Sequence, residues 1–194
     1  MLIQKFISKM KLTRIQITEI AKSIGVDYAS LMAFISVESG GLGFATDTGK
    51  IIIQFEPAWF KRKSPYSPSG AWSVNGVERQ SKEWIAFNNA MKLNPNAAME
   101  STSIGLGQIM GFHYKRLGFK TVSEMWDDAK KGEYNQVQQM AKFIATDPGL
   151  LKGLKNRNWH VVATLYNGAG YLALAKKIGR EPYSISMQKA YDKY

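Results

Sequence analysis

Two glutamates stand where a carboxyl could perform acid–base chemistry. Between Asp27, a good helix N-cap, and the stop at Gly40-Gly41, the residues Leu31, Phe34, Ile35 and Glu38 follow i, i+3, i+4, i+7 spacing, which places Glu38 within the apolar stripe of its helix. A carboxyl aimed at a core loses hydration, so its pKa rises toward neutrality and it becomes a proton donor suited to glycosidic cleavage. The helix by itself is equally compatible with a buried structural glutamate held by backbone donors. Glu56 closes the β-branched run Ile51-Ile52-Ile53-Gln54-Phe55, and by two-residue alternation it shares a face with Ile52 and Gln54, opposite Ile51, Ile53 and Phe55. A helix carboxyl facing a strand carboxyl is the arrangement of a two-carboxylate glycosidase. Taken alone, Glu56 is also an ordinary exposed strand-end residue.

Further polar groups come from two glycine-containing segments. In Ser101-Thr102-Ser103-Ile104-Gly105-Leu106-Gly107-Gln108-Ile109-Met110, the glycines uncover the start of an expected helix, so backbone amides and the Gln108 amide can approach a sugar hydroxyl or N-acetyl group; tight packing is the competing reason for them. Tyr166-Asn167-Gly168-Ala169-Gly170-Tyr171 supplies a phenol, an amide and a flexible corner, or simply a turn between helices. Trp72 and Tyr66 fall in a loop over 64–77, where aromatic rings stack on sugars or cover the core.

The elements that must hold these groups read as mainly helical. Helices are expected at 13–24, with Thr13 and Gln16 in capping-box spacing, at 28–39, from Pro57 to Lys63, and then at 78–93, 95–100, 104–117, 122–131, 133–146, 148–155, 158–166, 170–178 and 183–192. The period changes only around 45–56, where Asp47-Thr48-Gly49-Lys50 reads as a turn and a small hairpin or sheet is expected. At 194 residues the chain is expected to be one domain, 1–194, with room for two lobes.

Composition narrows the chemistry. With no cysteine there is no disulfide scaffold, thiolate zinc site or thiol nucleophile, and with only His113 and His160 and no HExxH pattern a catalytic zinc is not expected. Twenty-six Lys and Arg against fifteen Asp and Glu leave a formal charge of +11, which favours a polyanionic partner or surface, with nucleic acid, anionic lipid and bacterial wall all qualifying, or is simply a basic, soluble surface. The charges are scattered and carry no nucleic-acid motif, so no specific nucleic-acid partner is expected. The residues Met1 to Leu12 alternate apolar groups with lysines and build no secretory signal, and no stretch is apolar enough to span a bilayer. The expectation is a soluble monomer made in the cytoplasm of the producing cell.

Taken in order, Val37-Glu38-Ser39-Gly40-Gly41, Ile53-Gln54-Phe55-Glu56, the run from Ser103 to Phe112 and Tyr166-Asn167-Gly168 resemble the N-acetylmuramidase domain of phage endolysins. The resemblance spans roughly Ile17 to Tyr191 and reaches more loosely to goose-type lysozymes and lytic transglycosylases. It implies a lysozyme-like fold, peptidoglycan as substrate and no cofactor or metal. It also implies that Glu38 is the catalytic acid with Ser39 beside it, and that Gln108, Tyr166 and Asn167 line a glycan cleft. Relatives often follow their Phe-Glu with a basic residue and His, whereas Glu56 is followed by Pro57-Ala58-Trp59. Glu56 is the candidate for orienting water or offsetting charge, and Trp72 for stacking on sugar. Three other readings stay open: a lytic transglycosylase, a non-catalytic wall-binding module, and a polyanion-binding protein without glycan activity.

Overall fold

The computed structural model describes residues 12–65 and 79–194. In chain order its elements are α1 (Arg14–Ser23), α2 (Tyr28–Ser39), β1 (Ile53–Phe55), α3 (Pro57–Lys63), α4 (Gln80–Leu93), α5 (Pro95–Glu100), β2 (Thr102–Ile104), β3 (Ile109–Met110), a 3-10 turn at Gly111–His113, α6 (Val122–Ala129), α7 (Glu133–Ala145), α8 (Pro148–Lys155), α9 (Trp159–Asn167), α10 (Tyr171–Lys177) and α11 (Tyr183–Tyr191). The protein is thus mainly helical with one small antiparallel sheet. Among the described residues no single helix is long and apolar enough to cross a membrane. The chain divides into two compact units: an inserted unit, Leu42–Gln136, and an outer unit made of Leu12–Gly41 and Val137–Tyr194.

The outer unit is a helical assembly whose boundaries follow capping chemistry. Thr13 and Gln16 form a reciprocal capping box at the start of α1, and Asp27 Oδ1 accepts the Ser30 amide at 2.6 Å to begin α2. Gly40, at φ +63°, takes the left-handed conformation that ends α2. The face of α2 bearing Leu31, Phe34 and Ile35 is buried, and the helix packs most extensively on α11, whose Met187 and Ala190 are also buried. Asp147 caps α8 with Pro148 at its first position.

The inserted unit is organised by the sheet, ordered β1-β2-β3. Its register pairs Ile53 with Ile104, Gln54 with Ser103 and Phe55 with Thr102, then Ser103 with Met110 and Ile104 with Ile109. Ile53, Phe55, Ile104 and Ile109 are buried, while exposed Gln54 and its partner Ser103 share the other face. β1 is an edge strand, and α4 blunts its open side with side chains instead of a fourth strand. The Gln80 amide accepts from Ile53 N at 3.0 Å and donates to Ile53 O at 2.8 Å, and Glu83 Oε2 accepts from Phe55 N at 2.8 Å.

One expectation is met in a modified form here and one is corrected. The strand expected within 45–56 is present as β1, but its partner is β2, and local pairing is limited to a bridge between Phe44 and Ile51. The helix expected at 104–117 is instead the β2–β3 hairpin followed by the 3-10 turn. The glycines there do not uncover a helix start. Gly105, at φ +65°, turns the hairpin, and a Cβ on it would lie 2.6 Å from the buried Gln136 side chain. Gln136 occupies that space because its amide accepts Leu106 N at 2.9 Å and donates to Ala129 O at 3.0 Å. Tight packing is therefore the reason for Gly105.

Candidate active site

In the outer unit, Glu38 lies in the last turn of α2, one turn beyond the buried Phe34 and Ile35. Burial pushes its carboxyl from an ordinary 4.5 up to about 7, and a hydrogen bond donated by the Tyr183 phenol to Glu38 Oε1 opposes that rise without cancelling it. Tyr183 comes from the first turn of α11. Its own pKa is driven well above 10 by burial, then by the charges of Glu38 and Tyr166, so the phenol stays protonated and remains a donor. The Tyr166 ring stacks near Tyr183 at a centroid distance of 6.5 Å and meets Phe34 edge-on at 4.6 Å and Phe143 at 5.6 Å. The structure thus gathers Glu38, Tyr166 and Tyr183 into one cluster. Ser39 turns its hydroxyl back to Ile35 O at 3.2 Å, and exposed Asn167 ends α9. A carboxyl with a pKa near 7 is half protonated at neutral pH, the condition a general acid requires.

In the inserted unit, Glu56 follows β1, its amide extending the ladder to Ser101 O at 2.9 Å. Gln54 Nε2 donates to Glu56 Oε1 at 2.8 Å, which places both side chains on the polar face, as alternation along the strand requires. Burial raises the Glu56 pKa and the Gln54 bond lowers it. On the same sheet, Ser103 donates to Gln108 Oε1 at 2.9 Å, and Gln108 Nε2 donates to Gly105 O at 2.8 Å. Gln108 takes φ +44°, a strained backbone for a residue with a Cβ, and its amide is engaged within the hairpin.

Trp72 and Tyr66 lie outside the described residues. Among the described residues no group of three or more His, Asp or Glu side chains could hold a metal ion.

Sequence reasoning missed two residues. Tyr183, Met187 and Ala190 follow i, i+4, i+7 spacing, which marks Tyr183 as facing inward. Glu83 stands at i with Ala86, Phe87 and Ala90 at i+3, i+4 and i+7, the same pattern that singled out Glu38. It is only 2 % exposed. Burial raises its pKa to about 7, the Phe55 amide lowers it, and the charge of Glu56 raises it further.

Comparison with known proteins adds three findings. A family model described as N-acetylmuramidase matches residues 27–194. The solved crystal structure of the Burkholderia AP3 phage endolysin is similar, with a TM-score of 0.79 and 29% identity, covering 95% of this chain and 71% of the endolysin. Among curated protein sequences nothing matches.

Proposed function

Since the chain belongs to the N-acetylmuramidase family and is a peptidoglycan-cleaving glycoside hydrolase, we propose that it hydrolyses the β-1,4 bond between N-acetylmuramic acid and N-acetylglucosamine, with Glu38 as general acid. The observation that carries this reading is the partly buried Glu38 carboxyl, raised by that burial to about 7 and bonded by the Tyr183 phenol. Protonated Glu38 gives its proton to the glycosidic oxygen as the bond from that oxygen to the muramyl C1 breaks. The sugar left behind acquires oxocarbenium character, and water adds at C1, its released proton returning to a carboxylate. For Glu56 we propose the second role, offsetting the developing positive charge or orienting that water. Ser39, Gln108, Tyr166, Asn167 and Trp72 are proposed to contact the glycan, and the charge of +11 to draw the protein to the anionic wall.

The departure after Glu56, where Pro57-Ala58-Trp59 replaces the basic residue and His of many relatives, favours one second reading. A lytic transglycosylase needs a single catalytic carboxyl, because the muramyl hydroxyl itself attacks C1. Mass spectrometry of the soluble fragments from purified peptidoglycan separates the two. Hydrolysis gives reducing muramyl ends, and transglycosylation gives anhydro ends lighter by one water. A protein that released no fragments would instead be a binding module or a polyanion-binding protein.

A further inference from the structure

The outer unit carries a second hydrogen-bonded chain, separate from the groups assigned to the reaction. His160 Nδ1 lies 2.8 Å from Tyr171 Oη, and Tyr171 Oη donates to Ser184 Oγ at 3.1 Å. A phenol has one proton, and here it is spent on Ser184. The proton between His160 and Tyr171 therefore belongs to imidazole Nδ1, with Tyr171 accepting. Three helices are joined in this way: α9 through His160, α10 through the buried Tyr171 and α11 through Ser184.

The first turn of α11 needs such support. Its N-cap position is Pro182, which has no side-chain acceptor for the unpaired amides of a helix start. Ser184 stands next to Tyr183, and successive side chains on a helix diverge by about 100°. One residue is therefore tied to α10 while its neighbour reaches Glu38 on α2. About one turn further along, Trp159 Nε1 donates to Gln188 Oε1 at 2.6 Å and ties α9 to α11 a second time. From this geometry we infer that the His160–Tyr171–Ser184 chain is a positioning device: it fixes the first turn of α11 and so sets the Tyr183 phenol on Glu38.

The inference rests on the reading of Glu38 as proton donor. Among the described residues the titratable group bonded to Glu38 is Tyr183 from α11, and Tyr166 from α9 stacks in turn on Tyr183. On α1, which also packs on α2, Arg14 lies over the Tyr28 ring, and Glu19 and Lys22 are exposed. Loosening Tyr183 removes the group that lowers the Glu38 pKa, so the carboxyl should titrate at higher pH.

Carbon-13 NMR of the Glu38 carboxyl in the full chain, assigned with Glu38→Gln, reads this directly beside pH profiles of kcat on soluble glycan strands. Tyr171→Phe keeps the ring and removes both bonds, and Ser184→Ala breaks the last link. Both should move the Glu38 titration above its wild-type position near 7, in the direction of Tyr183→Phe. In each, kcat should fall by about five-fold at unchanged KM, the size expected for one hydrogen bond. His160 is exposed at the rim of an open groove of about 720 Å3. His160→Asn places an N–H donor at the position of Nδ1 without opening a buried hole and should rescue what His160→Ala loses. An unshifted Glu38 titration in Tyr171→Phe and Ser184→Ala overturns the inference, whatever their melting temperatures. So does an unshifted titration in Tyr183→Phe. Should Tyr171→Phe fail to fold, Ser184→Ala carries the test alone. If the titrations shift as expected while Glu38→Gln stays active, the positioning role stands and the reading of Glu38 as the acid falls.

Discussion

The Tyr183 phenol donates a hydrogen bond to Glu38 Oε1 across 145 positions of sequence, and this bond opposes, without overcoming, the rise in the Glu38 pKa caused by burial. Glu38→Gln keeps an acceptor for that phenol while removing the charge, so the fold should survive and glycan cleavage should be abolished. The sign of the stability change follows from linkage. Below 4.5 the carboxyl is protonated in both folded and unfolded chains; between 4.5 and about 7 the unfolded chain ionises first, and the folded state loses stability. The accumulated loss is on the order of 3 kcal/mol at higher pH. Thermal melts should therefore coincide for Glu38→Gln and wild type near pH 4 and separate by pH 8, with the variant higher. A variant that melts lower at pH 8 would make Glu38 a structural carboxylate.

Glu56→Gln should reduce turnover less than Glu38→Gln, because charge stabilisation can be shared among groups whereas the proton donor cannot. Initial rates on peptidoglycan decide it. Equal losses would make both carboxyls indispensable and weaken the transglycosylase reading, and full activity would remove Glu56 from the reaction.

The Glu83 carboxylate replaces a strand partner for Phe55 N–H. Glu83→Gln keeps an oxygen acceptor and sheds a buried charge, so its melting temperature at pH 8 should equal or exceed that of wild type. Glu83→Leu leaves the Phe55 amide unpaired and should cost about 1–3 kcal/mol in denaturant titrations. Equal stability of the Leu and Gln variants would show that the bond to Phe55 contributes nothing.

Gly40 and Gly105 form a matched pair, with φ of +63° and +65°. A Cβ meets nothing within 4 Å at Gly40 but lies 2.6 Å from Gln136 at Gly105. Gly40→Ala should cost about 1–2 kcal/mol, the penalty of the left-handed conformation. Gly105→Ala adds overpacking of about 1–3 kcal/mol. Equal losses in denaturant titrations would mean that Gln136 swings aside without penalty.

If the charge of +11 draws the protein to the wall, the rate on intact peptidoglycan should fall as salt rises, because the screening length shrinks to about 8 Å at physiological ionic strength. The rate on short soluble glycans should change little. Parallel salt responses on the two substrates would remove attraction to the wall as the cause.

What was legible in the sequence is what is local. The Asp27 cap, the stop at Gly40 and the spacing from Leu31 to Glu38 set α2 and orient its carboxyl, and alternation along β1 puts Gln54 and Glu56 on one face. What was hidden depends on distant partners. β1 pairs with a segment some fifty positions away, so local pattern alone reads 104–117 as a helix although the register there is fixed by β1. Glu83 and Tyr183 each lay on an apolar stripe, yet their roles exist only through Phe55 and Glu38, and no local pattern names such a partner.

The outer unit is assembled from two stretches of chain, Leu12–Gly41 and Val137–Tyr194, with the inserted unit between them. During synthesis α11, the principal packing surface of α2, follows it by more than 140 residues. A growing chain holds the Glu38 helix without its cover until α11 has left the ribosome, and for that interval no phenol meets the carboxyl. The pairing of Glu38 with Tyr183 thus also orders assembly: a nascent chain that lacks α11 carries the Glu38 carboxyl without its phenol partner.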